Sequence, residues 1–207
     1  HAYSLIHDDL PSMDDDDYRR GKPSVHKKFN EATAILAGDA LHDLAFELIS
    51  NKKTHKNSNI RIALIKKLSV LLGSKGLAGG QSLDLLFEKK KISNKKILNM
   101  YQMKTSSLFN FCCSAPFILA NKKINEIKFA EKYGDLYGLI FQITDDVIDD
   151  FETFKNLGKT PGKDKKQGKS TLISILGKDK MIYYCNNKVN KFIKQNKKYF
   201  KKYLILE

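Results

Sequence analysis

The sequence predicts an all-α fold, a helical bundle with a central cavity. Apolar residues recur at helical spacing along the chain, and no alternating strand pattern or hairpin signal interrupts them. The chain has 207 residues and is 42% hydrophobic, which is enough to bury one sizeable core. Because no linker or internal repeat divides the sequence, we expect residues 1–207 to form one domain.

Each helix is predicted from its own apolar pattern. A first helix should end or kink at Pro11, because proline lacks an N–H group and restricts the residue before it. Ser93 is suited to cap a helix that reaches Leu108. A polar run over residues 51–59 indicates a loop. The remaining apolar patterns predict helices over residues 34–49, 60–72 and 124–151.

The aspartates are unevenly distributed. Ten of the sixteen lie in two short segments, residues 8–17 and residues 145–150. Adjacent carboxylates repel one another and raise each other's pKa, so crowding them calls for a compensating positive charge. Mg²⁺ is typically held by one or two carboxylates and completes its shell with water and the phosphate oxygens of a substrate. The two clusters therefore predict magnesium bound together with a phosphorylated substrate.

The spacing within each cluster supports this interpretation. Asp145 and Asp149 stand one helical turn apart, with Cβ atoms about 6 Å from each other, so they can share an ion. In the first cluster, the bend at Pro11 is expected to return Asp14 toward Asp8. Both clusters can thus present paired carboxylates to a cation.

The acidic run over residues 15–17 has two interpretations. It can belong to the metal site or form a solvated loop, and the sequence favours neither. An EF-hand calcium loop beginning at Asp14 would need Gly where Arg19 stands and Glu where Val25 stands. That type of calcium site is excluded.

Basic residues follow each acidic cluster. The chain has only three arginines, and Arg19 and Arg20 stand together, which indicates a need for the planar guanidinium that binds phosphate through two bonds. The alternative is a salt bridge to the neighbouring acidic run. Lys159 and Lys169 lie in a glycine-punctuated basic segment, where glycine allows close backbone approach to an anion. This segment is not a Walker A loop, because Lys163 stands where that pattern requires glycine.

The net charge of +14 does not indicate a nucleic-acid-binding protein. Residues 151–207 contain fifteen lysines against four acidic residues, so they carry most of the surplus. A nucleic-acid module would instead show a basic stripe with stacking aromatic residues or a recognised motif. We therefore expect no nucleic-acid partner.

Cysteine usage and hydropathy indicate the compartment. Cys112, Cys113 and Cys185 have neither a disulfide framework nor zinc-ligand spacing, which favours a reducing cytoplasm. The most apolar stretch, residues 109–120, is too short to span a bilayer. We expect a cytoplasmic protein without stable membrane association.

The motifs taken together resemble those of an enzyme family. Residues 1–14 with 19–23 are similar to the first aspartate-rich motif of bacterial short-chain isoprenyl diphosphate synthases, and residues 145–149 are similar to the second. The four-residue gap in the first motif is most similar to that of farnesyl diphosphate synthases. Further segments follow in the family's order: residues 37–41, 79–84, 104–105 and 141–142.

The resemblance implies chain elongation. The related terpene cyclases carry an Asn/Ser/Glu-type second metal motif, whereas this chain again has Asp-Asp-x-x-Asp. The implied activity is a Mg²⁺-dependent prenyl transfer that condenses dimethylallyl or geranyl diphosphate with isopentenyl diphosphate to give farnesyl diphosphate. The implied assembly is a homodimer.

The resemblance also implies roles for single residues. Two or three Mg²⁺ ions would be bound by aspartates of both motifs, namely Asp8, Asp9, Asp14, Asp145 and Asp149. The allylic diphosphate would be bound by basic side chains, namely Arg19, Lys104, Lys159 and Lys169. Isopentenyl diphosphate would be held by His1 and Arg20. Lys104, Thr105 and Gln142 would be catalytic, the last two through oxygens that stabilise the allylic cation. The remaining histidines are interpreted as structural or exposed, with no metal role, namely His7, His26, His42 and His55.

Product length is expected to depend on the residues that precede the first motif. Tyr3 lies five residues before Asp8, close to the helix face that can point into the path of the growing chain. By resemblance, an aromatic residue there closes the cavity at about a fifteen-carbon product, and the small Ser4 beside it would not block. A geranylgeranyl diphosphate synthase is the alternative.

The ends of the sequence suggest a fragment. The chain begins at His1 inside an expected helix, and it has no Gly-Gly-Lys-x-x-Arg segment, which in the family binds isopentenyl diphosphate. We therefore expect residues 1–207 to lack N-terminal helices. A non-catalytic scaffold member of the same family remains an alternative.

Overall fold

The computed structural model describes residues 1–151, 168 and 171–203. These residues are mostly helical and contain only two two-residue strands, which confirms the predicted all-α class. The central cavity stays a prediction. The helices are α1 (Ala2–Asp8), α2 (Val25–Lys28), α3 (Glu31–Ser50), α4 (Ser58–Leu72), α5 (Leu77–Phe87), α6 (Asn94–Tyr101), α7 (Ser107–Leu119), α8 (Ile124–Phe151), α9 (Leu172–Leu176) and α10 (Lys178–Lys202).

The predicted helix bounds agree closely with the observed ones, with one difference. Helix α8 coincides with residues 124–151, and α3 and α4 extend the predicted spans by a few residues. Ser93 is the N-cap of α6, although its side chain makes no capping hydrogen bond. The helix predicted from Ser93 to Leu108 is not uniform, because a π-helical segment, Gln102–Ser106, joins α6 to α7.

A short hairpin was missed by the sequence analysis. Strand β1 (Tyr18–Arg19) pairs in antiparallel fashion with β2 (Lys22–Pro23). The two residues between them, Arg20 and Gly21, both have positive φ, as a tight two-residue hairpin turn of type I′ requires. Two-residue strands are too short to show an alternating pattern, so the expectation of no hairpin was wrong here.

The chain divides into two compact units. The first contains residues 1–65 and 148–168, and in it α1 and α2 pack against α3. The ring of His7 lies over Gly38, where a Cβ atom would come within 2.0 Å of Nε2. The same nitrogen lies 3.0 Å from the carbonyl oxygen of Ile35. His7 therefore joins α1 to α3, and its predicted structural role is confirmed.

The second unit contains residues 66–147 and 169–207. Gly80 lets α5 approach the π segment, because a Cβ there would lie 2.1 Å from the backbone nitrogen of Lys104. Gly138 lets α8 approach the same π segment, since a Cβ there would lie 2.5 Å from the Cα of Ser106. One cluster of buried hydrophobic residues in this unit consists of Phe87, Ile97, Met100, Tyr101, Ile143, Leu172 and Met181.

The beginning of α8 is fixed by a buried carboxylate. Glu126 is 7% exposed and accepts hydrogen bonds from Lys202 Nζ at 2.7 Å and from the Tyr203 hydroxyl at 2.5 Å. Its other oxygen accepts from the Lys123 backbone N–H at 3.1 Å, as in the reciprocal half of a capping box. Among the described residues, no helix has the length and apolar character needed to cross a membrane.

Candidate active site

The first acidic cluster forms a closed turn after α1. The helix ends at Asp8, and Pro11 lies in the turn that follows, as predicted. The backbone N–H of Asp14 donates to the carbonyl oxygen of Asp8 at 2.9 Å, so the chain returns on itself. Asp8 and Asp14 are both partly exposed. The expectation that the bend brings them together along the backbone is confirmed.

Arg19 is bound to the same turn. Its Nε donates to Asp9 Oδ1 at 3.0 Å, its Nη2 contacts the same carboxylate, and Nη2 lies 3.6 Å from Asp16 Oδ2. The exposed fractions are 2% for Asp9 and 5% for Asp16. Burial raises the pKa of Asp9 above its ordinary value, and the hydrogen bond and charge of Arg19 partly offset this. The alternative interpretation of Arg19, a salt bridge to the acidic run, is therefore what the structure shows, and its contact with a diphosphate stays a prediction.

The neighbouring acids divide into two kinds. Asp15 and Asp17 are exposed, as a solvated loop requires, whereas Asp16 is buried. One carboxylate oxygen each of Asp15 and Asp17 and one ring nitrogen of His26 lie within 4.8 Å of one another, a set of atoms able to ligate a cation. Asp17 also forms an ion pair with Lys27 at 3.0 Å. The sequence spacing gives no signal for this grouping, since His26 lies nine or more residues from the acids.

Lys104 and Thr105 both lie in the π segment. Lys104 Nζ contacts Asp84 Oδ2 at 2.5 Å, and Asp84 is 6% exposed on α5. A π-helical turn is rare and is frequently found at functional sites, because it re-aims side chains that a regular helix would place elsewhere. The role of Asp84 as a partner of Lys104 was missed, although the segment containing it follows the family's order.

Thr105 and Gln142 come together, as their predicted shared role requires. The Thr105 hydroxyl donates to Gln142 Oε1 at 2.5 Å. Gln142 Nε2 in turn donates to Asp146 Oδ1 at 2.8 Å, one turn further along α8. Two neutral oxygens therefore lie side by side, and the amide that carries one of them is held by a carboxylate.

The second acidic cluster lies at the end of α8. Asp145 is partly exposed, and Asp149 is 5% exposed. Carboxylate oxygens of this kind are the ligands that Mg²⁺ prefers, and the turn that joins Asp8 to Asp14 offers the same donors. Each cluster, taken by itself, thus carries donors of the kind that fits the implied magnesium.

The other predicted ligands are placed differently. His1 is exposed ahead of α1, and Arg20 is exposed in the hairpin turn with φ of +54°. Lys159 and Lys169 lie outside the described residues.

Tyr3 and Ser4, neighbours on α1, make different contacts. The ring of Tyr3 meets His42 of α3 edge-on, with centroids 5.0 Å apart, and burial raises the pKa of its hydroxyl. Ser4 is 6% exposed and donates to the carbonyl oxygen of His1 at 2.9 Å. Tyr3 is therefore fixed against a neighbouring helix, and the control of product length by both residues stays a prediction.

Two known enzymes are similar to this chain in sequence. The farnesyl diphosphate synthase of Micrococcus luteus is 44% identical over 189 residues, which cover 91% of this chain and 64% of that protein. The geranylgeranyl diphosphate synthase of Cyanophora paradoxa is 40% identical over 183 residues, covering 88% of this chain and 61% of that protein. The chain thus spans less than two thirds of the length of these relatives.

A solved structure agrees with the fold. The geranyltransferase of Helicobacter pylori, crystallised with magnesium and isoprenyl diphosphate, superposes with a TM-score of 0.89 at 34% identity, covering 100% of this chain and 67% of that one. The sequence pattern of the polyprenyl synthetase family matches residues 1–203. With this match across nearly the whole sequence, the chain belongs to the polyprenyl synthetase family.

Proposed function

We propose that the protein is a prenyltransferase that condenses dimethylallyl or geranyl diphosphate with isopentenyl diphosphate to give farnesyl diphosphate. The observation that carries the proposal is the closed turn in which Asp14 returns to Asp8, because it brings two aspartates of one motif together along the backbone. The relatives' names, farnesyl diphosphate synthase and geranyltransferase, support the same reaction class.

The proposed chemistry divides between metal and protein. Asp8, Asp14 and Asp145, with Asp9 and Asp149 in support, would hold two or three Mg²⁺ ions, whose Lewis-acid charge would stabilise the departing diphosphate. The bond between the allylic C1 and the diphosphate oxygen breaks, and a carbon–carbon bond to isopentenyl diphosphate forms. The proton lost in this step passes to the released diphosphate, so no side-chain base is required.

The protein side chains bind and orient the substrates. Arg19 and Lys104, with Lys159 and Lys169, neutralise the allylic diphosphate. His1 and Arg20 hold isopentenyl diphosphate. Arg19 and Lys104 are each paired with a buried carboxylate, Asp9 and Asp84, which limits the freedom of both cationic groups before substrate arrives.

Thr105 and Gln142 are proposed to face the allylic cation. Their oxygens lie 2.5 Å apart in one hydrogen bond, and the negative ends of these dipoles stabilise positive charge that develops during ionisation. Because the groups are neutral, they stabilise the cation without capturing it as a carboxylate or a thiolate would.

Product length distinguishes two candidate activities. Tyr3 is held against His42, and an aromatic floor at this position favours a fifteen-carbon product. The similarity to a geranylgeranyl diphosphate synthase supports the twenty-carbon alternative. Chromatography of the dephosphorylated products of the full-length protein separates farnesol from geranylgeraniol. A non-catalytic scaffold would give neither alcohol.

We also propose a cytoplasmic homodimer that binds no nucleic acid and has no stable association with membranes. Large apolar side chains on α3 are exposed, with values of 66% for Leu36 and 58% for Leu48, and a second copy would cover such a surface. Sedimentation of the full-length protein measures the assembly. A monomer at micromolar concentration would contradict the dimer.

The metal assignment is tested by substitution in the full-length protein. Asp8→Ala and Asp145→Ala are each expected to lower turnover by several orders of magnitude with the fold intact, because each removes charge stabilisation worth several kcal/mol. Asp43→Ala is the control, since the Asp43 side chain is 87% exposed. Near-normal turnover of either variant at limiting Mg²⁺ would contradict the assignment.

A further inference from the structure

A line of hydrogen bonds in the second unit leads to the amide of Gln142. The backbone N–H of Leu172 donates to the Tyr101 hydroxyl at 3.2 Å, and this hydroxyl donates to Asp146 Oδ2. The other oxygen, Oδ1, accepts from Gln142 Nε2 at 2.8 Å. Gln142 Oε1 accepts from Thr105. Asp146 is thus the acceptor at which two lines of donors meet.

The order of donors and acceptors in these hydrogen bonds decides which end of the Gln142 amide faces Thr105. A glutamine amide has two nearly isosteric orientations, and its surroundings select one of them. An ionised carboxylate only accepts hydrogen bonds, so Asp146 selects the orientation with Nε2 toward itself and Oε1 toward Thr105. The reversed orientation would aim an N–H dipole at the place where positive charge is proposed to develop.

We propose that Asp146 and Tyr101 are positioning residues that fix the amide of Gln142 with its carbonyl oxygen toward Thr105. The inference rests on the proposed function, because it gives that carbonyl its role. It also separates Asp146 from its neighbour in the second motif. Asp145 is partly exposed, whereas Asp146 is 5% exposed and both of its oxygens already accept hydrogen bonds from protein groups.

Tyr101 is suited to a permanent donor role. It is 2% exposed, and burial together with the charge of Asp146 raises the pKa of its hydroxyl, so the proton remains at any working pH. The bond from Leu172 uses a lone pair of the same hydroxyl and turns its proton toward Asp146. The backbone at the start of α9 thereby directs the Tyr101 proton to the carboxylate that holds Gln142.

Kinetics of three variants test the proposal. In Tyr101→Phe we expect kcat to fall about tenfold to a hundredfold, the effect of losing one hydrogen bond to a charged group. The KM for both diphosphates and the Mg²⁺ concentration for half-maximal rate should stay within about twofold. Asp146→Leu should lose more, and Asp146→Asn less, because asparagine keeps an oxygen that accepts from Gln142. Tyr137→Phe is the control, since Tyr137 is 52% exposed.

A second measurement does not depend on activity. In protein labelled with ¹⁵N at glutamine side chains, we expect the Gln142 amide protons to exchange slowly with solvent in the parent protein and faster in Asp146→Leu. The signal is assigned by its loss in Gln142→Ala. If the parent protein transfers no prenyl group, the proposed function fails, and this exchange experiment still decides whether Asp146 holds the amide.

Three outcomes would overturn the proposal. The first is an unchanged Gln142 exchange rate in Asp146→Leu. The second is an increased Mg²⁺ requirement in Asp146→Asn with kcat restored at saturating metal, which would make Asp146 a ligand. The third is a kcat for Tyr101→Phe within twofold of the parent value. Should Tyr101→Phe fail to fold, Asp146→Asn carries the kinetic test, and a kcat within twofold there would reject the proposal.

Discussion

The effect of Gly38→Ala on the free energy of unfolding is expected to depend on residue 7. The substitution should destabilise the parent protein and stabilise a His7→Ala variant. In the parent protein the new Cβ atom would lie 2.0 Å from His7 Nε2 and 2.3 Å from its Cδ2, so the ring must move. Displacement of the ring costs about 1–3 kcal/mol as an overpacked contact. Alanine in a helix interior returns about 0.5–1 kcal/mol relative to glycine. The net expectation is a destabilisation of about 1–2 kcal/mol.

In a His7→Ala background the new Cβ atom no longer meets the imidazole ring, which supplies its three nearest atoms in the parent protein. His7→Ala itself removes the hydrogen bond to the Ile35 carbonyl, a loss of about 0.5–1.5 kcal/mol. Gly38→Ala should then stabilise by about 0.5–1 kcal/mol through helix propensity alone. The coupling energy between the two sites is therefore about 2 kcal/mol, the difference between the two backgrounds.

Urea denaturation followed by circular dichroism gives the unfolding free energy of the parent protein, the two single variants and the double variant. These free energies can be compared when their dependence on urea concentration has the same slope. A stabilising effect of Gly38→Ala in both backgrounds would refute the packing of His7 on Gly38. Loss of turnover should accompany the destabilised variant, since His7 directly precedes Asp8 and its displacement shifts the end of α1.

Three further substitutions test other parts of the structure. Tyr3→Ala should lengthen the product, and an unchanged alcohol on chromatography would reject Tyr3 as the floor of the cavity. Lys202 and Tyr203 lower the pKa of Glu126 from 4.5 to about 2, so the stability this provides is complete above pH 4.5 and is lost as the pH falls toward 2. Glu126→Gln should therefore weaken the pH dependence of the denaturation midpoint between pH 5 and pH 2. The same pH dependence as in the parent protein would contradict the ion pair. Arg19→Lys should lower the unfolding free energy by about 1–3 kcal/mol, because lysine lacks the fork that contacts buried Asp9, and an unchanged midpoint would count against that contact.

Helices and the acidic turn were predictable because their signals are local. Apolar periodicity defines a helix within one segment, and the missing N–H of Pro11 acts on its immediate neighbours. The prediction that Asp14 returns toward Asp8 depended only on this bend, and the structure confirms it for the backbone.

Side-chain partners were harder to predict. Apolar periodicity shows which face of a helix is buried, but it does not show which residues of other elements contact that face. Asp84 and Lys104 lie twenty residues apart on different elements, and their contact depends on the close approach that Gly80 allows. The bond from Tyr101 to Asp146 spans forty-five residues. No spacing rule connects such positions, so the residues that position the site emerged only in three dimensions.

In the π segment, an additional residue is expected to disturb the structure more than a change in the identity of one residue. Each residue in an α-helix advances the direction of its side chain by about 100°, and the wider turn of Gln102–Ser106 absorbs the offset between α6 and α7. Deleting one residue there would restore a regular helix with α7 in the same register, whereas inserting one more residue would rotate α7 by about that angle. Asn110 would then lose Asp135, which it now contacts at 2.8 Å. Point substitutions at Met103 should thus be tolerated more readily in evolution than a further insertion beside it.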